Sequence, residues 1–149
     1  MFAMNEEQHE AGVTNSAFRT YELSSRAVFS ADWPTVRALR APDALRDDRR
    51  RMGAPYILQG IDALISSAQE WVDLGFVISD VEFVAERGDR LAVARQEIRT
   101  PDDYLIEFLA LTELDESGLI DRLVYVDTGH VDAAHSELDL RRSEMESSP

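Results

Sequence analysis

Residues 77–127 read VISDVEFVAERGDRLAVARQEIRTPDDYLIEFLALTELDESGLIDRLVYVD. Three short turn-forming segments divide this stretch: Gly88-Asp89, Pro101-Asp102-Asp103 and Asp115-Glu116-Ser117-Gly118. The runs between them are apolar and β-branched, which predicts four strands: Val77 to Arg87, Leu91 to Arg99, Tyr104 to Leu114 and Leu119 to Asp127. Short hairpin connections join them into an antiparallel sheet.

The chain upstream is helical in period. From about Asn15 to Ser30, the residues Phe18, Tyr21, Ser25, Val28 and Phe29 fall on one helical face. Asp32 can cap a short second helix with Trp33 and Pro34 in its first turn and Val36 and Leu39 inward, stopped by Ala41-Pro42-Asp43. Ala44 to Arg51 reads as a strand before the Gly53/Pro55 loop. After Gly60, the residues Ile61, Leu64, Ile65, Ala68, Trp71 and Val72 define a third helix, with Gly75 as its left-handed cap. A last helix runs from Val131 to about Met145, with Val131, Ala134 and Leu138 on one face. The expectation is one domain over residues 14–140, with residues 1–13 and 141–149 as flexible ends.

Composition narrows the function. The 149 residues are 44% hydrophobic, enough to form a core, and contain no cysteine, which removes disulfides, thiolate metal sites and cysteine nucleophiles. Fifteen basic residues, all arginine, face 29 acidic ones, a formal charge of −14 that repels phosphate backbones and anionic headgroups. Nucleic-acid and membrane partners are therefore not expected. The one basic run, Arg49-Arg50-Arg51, lies within a predicted strand. His130 and His135 lack metal-ligand spacing, and neither a metal nor another cofactor is expected. The N-terminus shows neither the basic start nor the apolar stretch of a secretory signal, so a cytoplasmic location is expected.

Three segments carry a resemblance. Phe29 to Asp43 (FSADWPTVRALRAPD) resembles the Asp-Trp, Leu, Pro-Asp segment of nuclear transport factor 2-like domains; Gln59-Gly-Ile-Asp-Ala-Leu64 is similar to their Gly-x-x-Ala-Leu helix start. Asp115 to Leu123 resembles their Gly-x-Ile turn into the final strand. With the order helix, short helix, strand, helix and four-strand meander, and an Asp48-to-Arg51 stretch similar to that of actinobacterial SnoaL-like domains, the resemblance spans about residues 15–138. It implies an α+β fold in which a strongly bent mixed or antiparallel sheet forms a cone around the N-terminal helices, with a C-terminal helix. It also implies a pocket for a small hydrophobic molecule and a homodimer formed through the outer sheet face, where Leu109, Leu111, Val124 and Val126 are candidates.

Alternation puts Leu123, Tyr125 and Asp127 on one face of the last strand, and Ile120, Arg122, Val124 and Val126 on the other. In the resembled cyclases and limonene-epoxide-hydrolase-like enzymes an aspartate base stands where this chain has Tyr125. Asp127, two residues on, is then the candidate base, or else a cap for the last helix. Arg95-Gln96-Glu97 resembles the Arg-x-Asp pair those enzymes set opposite the base, and Arg95 and Glu97 share a face with Leu91 and Val93. They read equally as an ion pair bracing the sheet. The candidate catalytic set is thus Asp127, Tyr125, Arg95 and Glu97. Candidate substrate contacts are Arg46, Asp48 and Arg50 on the first strand, with Phe29, Trp71, Phe108 and Leu123. Two functions stay open: a cofactor-independent acid–base enzyme (epoxide hydrolase, cyclase or isomerase), and a non-catalytic ligand-binding or dimerisation domain.

Overall fold

A computed structural model describes residues 15–50 and 56–147. Their elements are α1 (Ser16–Phe29), α2 (Trp33–Ala38), β1 (Arg40–Asp48), β2 (Tyr56–Gln59), α3 (Ile61–Asp73), β3 (Val77–Arg87), β4 (Leu91–Arg99), β5 (Leu105–Leu114), β6 (Ile120–Val126) and α4 (Val131–Ser147). One open six-stranded sheet runs in the order β2-β1-β6-β5-β4-β3. All neighbouring strands are antiparallel except β1 and β6, which run parallel, so the α+β class with a mixed sheet is observed.

Local chemistry explains most boundaries. Asn15 caps α1, its side-chain oxygen accepting from the Phe18 N–H at 2.9 Å. Its Nδ2 donates to the carbonyls of Gly88 and Leu91, both at 2.9 Å, which fastens the start of α1 to the β3–β4 turn. Asp32 caps α2 through Thr35 N–H at 3.3 Å. Gly75 closes α3 at φ +87°, and a side chain there would also meet Pro101 Cγ at 2.9 Å.

The two faces of the sheet bury different side chains. On one face the small residues Ala92, Ala94 and Ala110 let α1 lie close, and Phe18, Tyr21, Phe108, Ile98 and Leu123 complete that layer. On the other, Leu91, Val93, Leu109, Leu111, Val124 and Val126 pack beneath Ala134 and Leu138 of α4. Fully burying one such aliphatic side chain stabilises by roughly 1.5–3 kcal/mol, so both layers contribute heavily. Breaks in the ladders occur between Arg40 and Leu45, Ile78 and Asp80, Phe83 and Ala85, and Glu113 and Leu114. Such bulges bend and twist strands, which lets the sheet curve around α1 and α3.

The structure corrects several expectations. The first strand begins at Arg40, not Ala44: α2 already ends at Ala38, so Ala41-Pro42-Asp43 is not its stop, and Pro42 falls inside the β1 irregularity, where its missing N–H costs no ladder bond. A sixth strand, β2, precedes α3; at four residues it is too short to show a period. Ile120 packs with Leu123 and Tyr125 instead of opposite them, because the bulge at the β5–β6 turn shifts its parity. Residues 141–147 continue α4 as helix, and Arg141 is paired to the buried Glu113 at 2.7 Å. Leu109, Leu111, Val124 and Val126 are at most 8% exposed, since α4 covers them, and so offer no free surface for a second copy.

Candidate functional site

Between α1, α3 and the curved face of the sheet lies a concave site of about 470 Å³, counting solvent at its open side. Val28 and Phe29 come from α1, Leu64, Ala68 and Trp71 from α3, Ile98 from β4, Phe108 from β5 and Tyr125 from β6. Its polar lining is Ser25, Arg40, Arg46 and Gln96. The mostly apolar wall with a few converging polar groups is the kind of lining that small-molecule sites have.

Strand β1 brings charge to this face. Its alternation buries Ala44, Arg46 and Asp48, and Arg50 follows in the same sense. Arg50 binds Asp48 through two parallel bonds, Nε to Oδ1 at 2.9 Å and Nη2 to Oδ2 at 2.6 Å. The Arg50 guanidinium lies over Phe108 at 4.5 Å, Tyr125 at 5.1 Å and Trp71 at 5.3 Å. Burial alone would raise the Asp48 carboxyl, but its bonds to Arg50 and the nearby Arg46 outweigh that and hold it below the usual carboxylate range. A carboxylate held so is a weak base.

Arg46 is 6% exposed. Its Nη2 donates to the Tyr56 hydroxyl at 2.8 Å and the Ser67 hydroxyl at 3.1 Å, while its Nε is buried with no hydrogen-bond partner. Arg40 directs both Nε and Nη2 at one atom, Ser24 Oγ, at 3.2 and 3.1 Å. Burial, abetted by Arg46, lowers the Arg40 pKa, although the neighbouring Tyr125 and Tyr21 act in the opposite direction. Across the cavity, Gln96 Oε1 accepts from the hydroxyls of Tyr21 and Ser25, the latter at 3.0 Å. Burial first, then proximity to Tyr125, pushes the Tyr21 phenol well up, so it stays a neutral donor.

The predicted site residues are therefore divided. Tyr125, Arg46, Phe29, Trp71 and Phe108 line the cavity, and the Asp48–Arg50 pair sits against its aromatic wall. Leu123 is fully buried in the layer behind, not in the wall. Asp127 falls beyond the last residue of β6, in the turn where its carbonyl accepts from His130 N–H, and is not part of the lining. Arg95 and Glu97 point away from the cavity: Arg95 pairs in register with Leu109, and Leu109 with Val126, all on the α4 side. There Arg95 meets Glu107 at 2.6 Å, Glu82 at 3.1 Å, and Glu97 and Asp80 at 3.4 Å.

Arg40, Gln96, Ser25 and Tyr21 were missing from the predicted site. The signal for Gln96 was present in the turn: a hairpin centred on Asp102 pairs position 95 with 109, which sends Arg95 outward and Gln96 inward. Strand β4 hides this because Leu91, Ala92, Val93 and Ala94 are apolar on both faces. Arg49 of the basic run is used internally, by Asp47 at 2.8 Å and Glu137 at 3.1 Å; Arg51 lies outside the described residues. No cluster of metal-ligating side chains occurs among the described residues, and no described helix is long and apolar enough to cross a membrane.

The sequence matches no family model and no curated protein. Solved structures do match its shape. A protein assigned as a polyketide cyclase from Xanthomonas campestris is 18% identical at a TM-score of 0.61, over 74% of this chain and 89% of its own. One assigned as a ketosteroid isomerase from Kribbella flavida is 14% identical at 0.64, over 74% of this chain and 76% of its own. RV0760c from Mycobacterium tuberculosis, solved with estradiol-17beta-hemisuccinate, is 13% identical at 0.58, over 75% of this chain and 93% of its own. At these identities the likeness is one of fold: the chain shares the α+β, nuclear transport factor 2-like fold of these proteins.

Proposed function

We propose that this chain binds a small, largely apolar molecule in the cavity between α1, α3 and the sheet. The observation that carries this reading is the continuity of Phe29, Trp71, Phe108 and Tyr125 with the buried core, which forms a preshaped aromatic wall at an opening to solvent. The fold relatives support it, since the Mycobacterium protein holds estradiol-17beta-hemisuccinate.

Binding suits the geometry better than acid–base turnover. Epoxide hydrolysis by a carboxylate pair would set one carboxylate to activate water and a second, protonated, to donate to the leaving oxygen. Among the described residues the lining holds no carboxylate, and Asp48, whose partner Arg50 lies over the aromatic wall, is committed to that arginine.

Fluorescence titration with the neutral probe N-phenyl-1-naphthylamine tests this reading. Emission should rise on binding, and Ala68→Trp, which fills the α3 side of the cavity, should weaken binding about tenfold or more. No enhancement with the wild type, or equal binding by the filled variant, overturns it.

A further inference from the structure

Two of the three arginines on the cavity face lack a paired carboxylate among the described residues, in a protein that has acid to spare. Twenty-nine acidic residues face fifteen arginines in the whole chain, yet among the described residues Arg40, Arg46 and Arg50 share this face with only Asp48. That carboxylate is taken by Arg50 on both oxygens. Among the described residues no carboxylate lies within 4.0 Å of Arg40 or Arg46, whereas outer-face Arg95 has four.

What Arg40 and Arg46 do have is neutral and incomplete. A guanidinium carries five N–H donors. Arg46 spends Nη2 on two hydroxyls and leaves Nε buried without a partner; Arg40 divides two nitrogens over one serine oxygen. Arg46 is a buried cation without a paired anion, which is costly; its unsatisfied Nε adds to that and the Tyr56 and Tyr125 rings beneath it offset part of it, while Arg40 is half-buried. Gln96 is similar: its oxygen already accepts from Tyr21 and Ser25, so its amide NH2 is what it can offer a ligand. The polar lining is thus rich in donors and poor in acceptors.

Resting on the proposed small-molecule reading, we infer that the cavity's ligand is an aromatic carboxylate, its ring system against Trp71 and Phe108 and its anionic end held by Arg40 and Arg46. A planar carboxylate matches a guanidinium fork, which inorganic anions lacking an apolar body would exploit without using the aromatic wall. The bound anion would supply the counter-charge the protein omits, and Gln96 NH2 a further donor.

The test is calorimetric titration with 2-naphthoate and its neutral isostere 2-naphthamide. The wild type should bind 2-naphthoate about tenfold or more tightly than 2-naphthamide. Arg40→Gln and Arg46→Gln should each bring the two affinities together, while Arg95→Gln should keep the wild-type ratio. Equal affinities in the wild type overturn the inference without needing any variant to fold, as does a preference that survives both cavity substitutions. If neither naphthalene compound binds but N-phenyl-1-naphthylamine does, the carboxylate assignment falls and the apolar pocket stands. If none of the three binds, both fall.

Discussion

Arg95 on the outer face of the sheet and Arg40 and Arg46 on the inner face are held in opposite ways. Outside, Arg95 is surrounded by Asp80, Glu82, Glu97 and Glu107 at the solvent edge of β3, β4 and β5. Inside, among the described residues, Arg40 and Arg46 bond to serine and tyrosine hydroxyls, Arg46 also lies over the Tyr56 and Tyr125 rings at 5.6 and 5.4 Å, and of these three arginines Arg50 alone is bridged to a carboxylate. Exposed ion pairs gain little because water screens them, so the outer cluster chiefly keeps charge off the neighbouring apolar layer. The inner charges are desolvated and therefore costly, which is reasonable only if the site meets an anion or gains rigidity from them.

Removing Asp48 should give the largest effect. Asp48→Asn leaves Arg50 charged and unpaired against Phe108 and Tyr125, and should lower stability in urea unfolding by about 3 kcal/mol. The same pair sets a pH dependence. Because the folded Asp48 carboxyl binds its proton less readily than the unfolded one, its stabilisation is present above the unfolded value of about 3.9 and is lost as pH falls through the lower folded value. The stability gap between wild type and Asp48→Asn should accordingly narrow below about pH 4. A gap that is constant with pH would mean that Asp48 acts through shape alone.

Next in size, Arg40→Met should raise the stability of the ligand-free protein by about 1 kcal/mol, since it exchanges a half-buried cation, held by one serine hydroxyl and disfavoured by burial, for an apolar side chain of similar length. A loss instead would show that the Ser24 contact, not a ligand, justifies the charge, and would erase the contrast between the faces. The smallest change belongs to Arg95→Gln. It should move the melting temperature less than either inner substitution, and the shift should shrink in high salt, because every partner of Arg95 is partly open to solvent. A large, salt-insensitive drop there would make the outer cluster the structural keystone.

The helices and the meander were legible in the sequence, because each states its period within a dozen residues and is closed by residues of well-defined local chemistry. Asn15 and Asp32 serve as caps, Gly75 as a left-handed stop, and Gly88, Asp102 and Gly118 mark the turns. The site was half legible. Arg46, Asp48 and Arg50 alternate on a strand whose inner face is otherwise distinct, and Trp71 and Phe108 belong to clear apolar patterns. Arg95 and Glu97 were placed on the wrong side because β4 is apolar on both faces, so alternation has no contrast to read.

The sequence by itself determined every element but the short β2, their order and the curved-sheet class, because caps, turns and periodicity are interactions among near neighbours in the chain. Only the tertiary structure decided which polar groups share the cavity. Arg40 reaches it through a bulge opened at Pro42, and Gln96 through a pairing that runs from β4 across β5 to β6. Those placements depend on strand partners distant in sequence, and a one-residue change of parity exchanges the two faces.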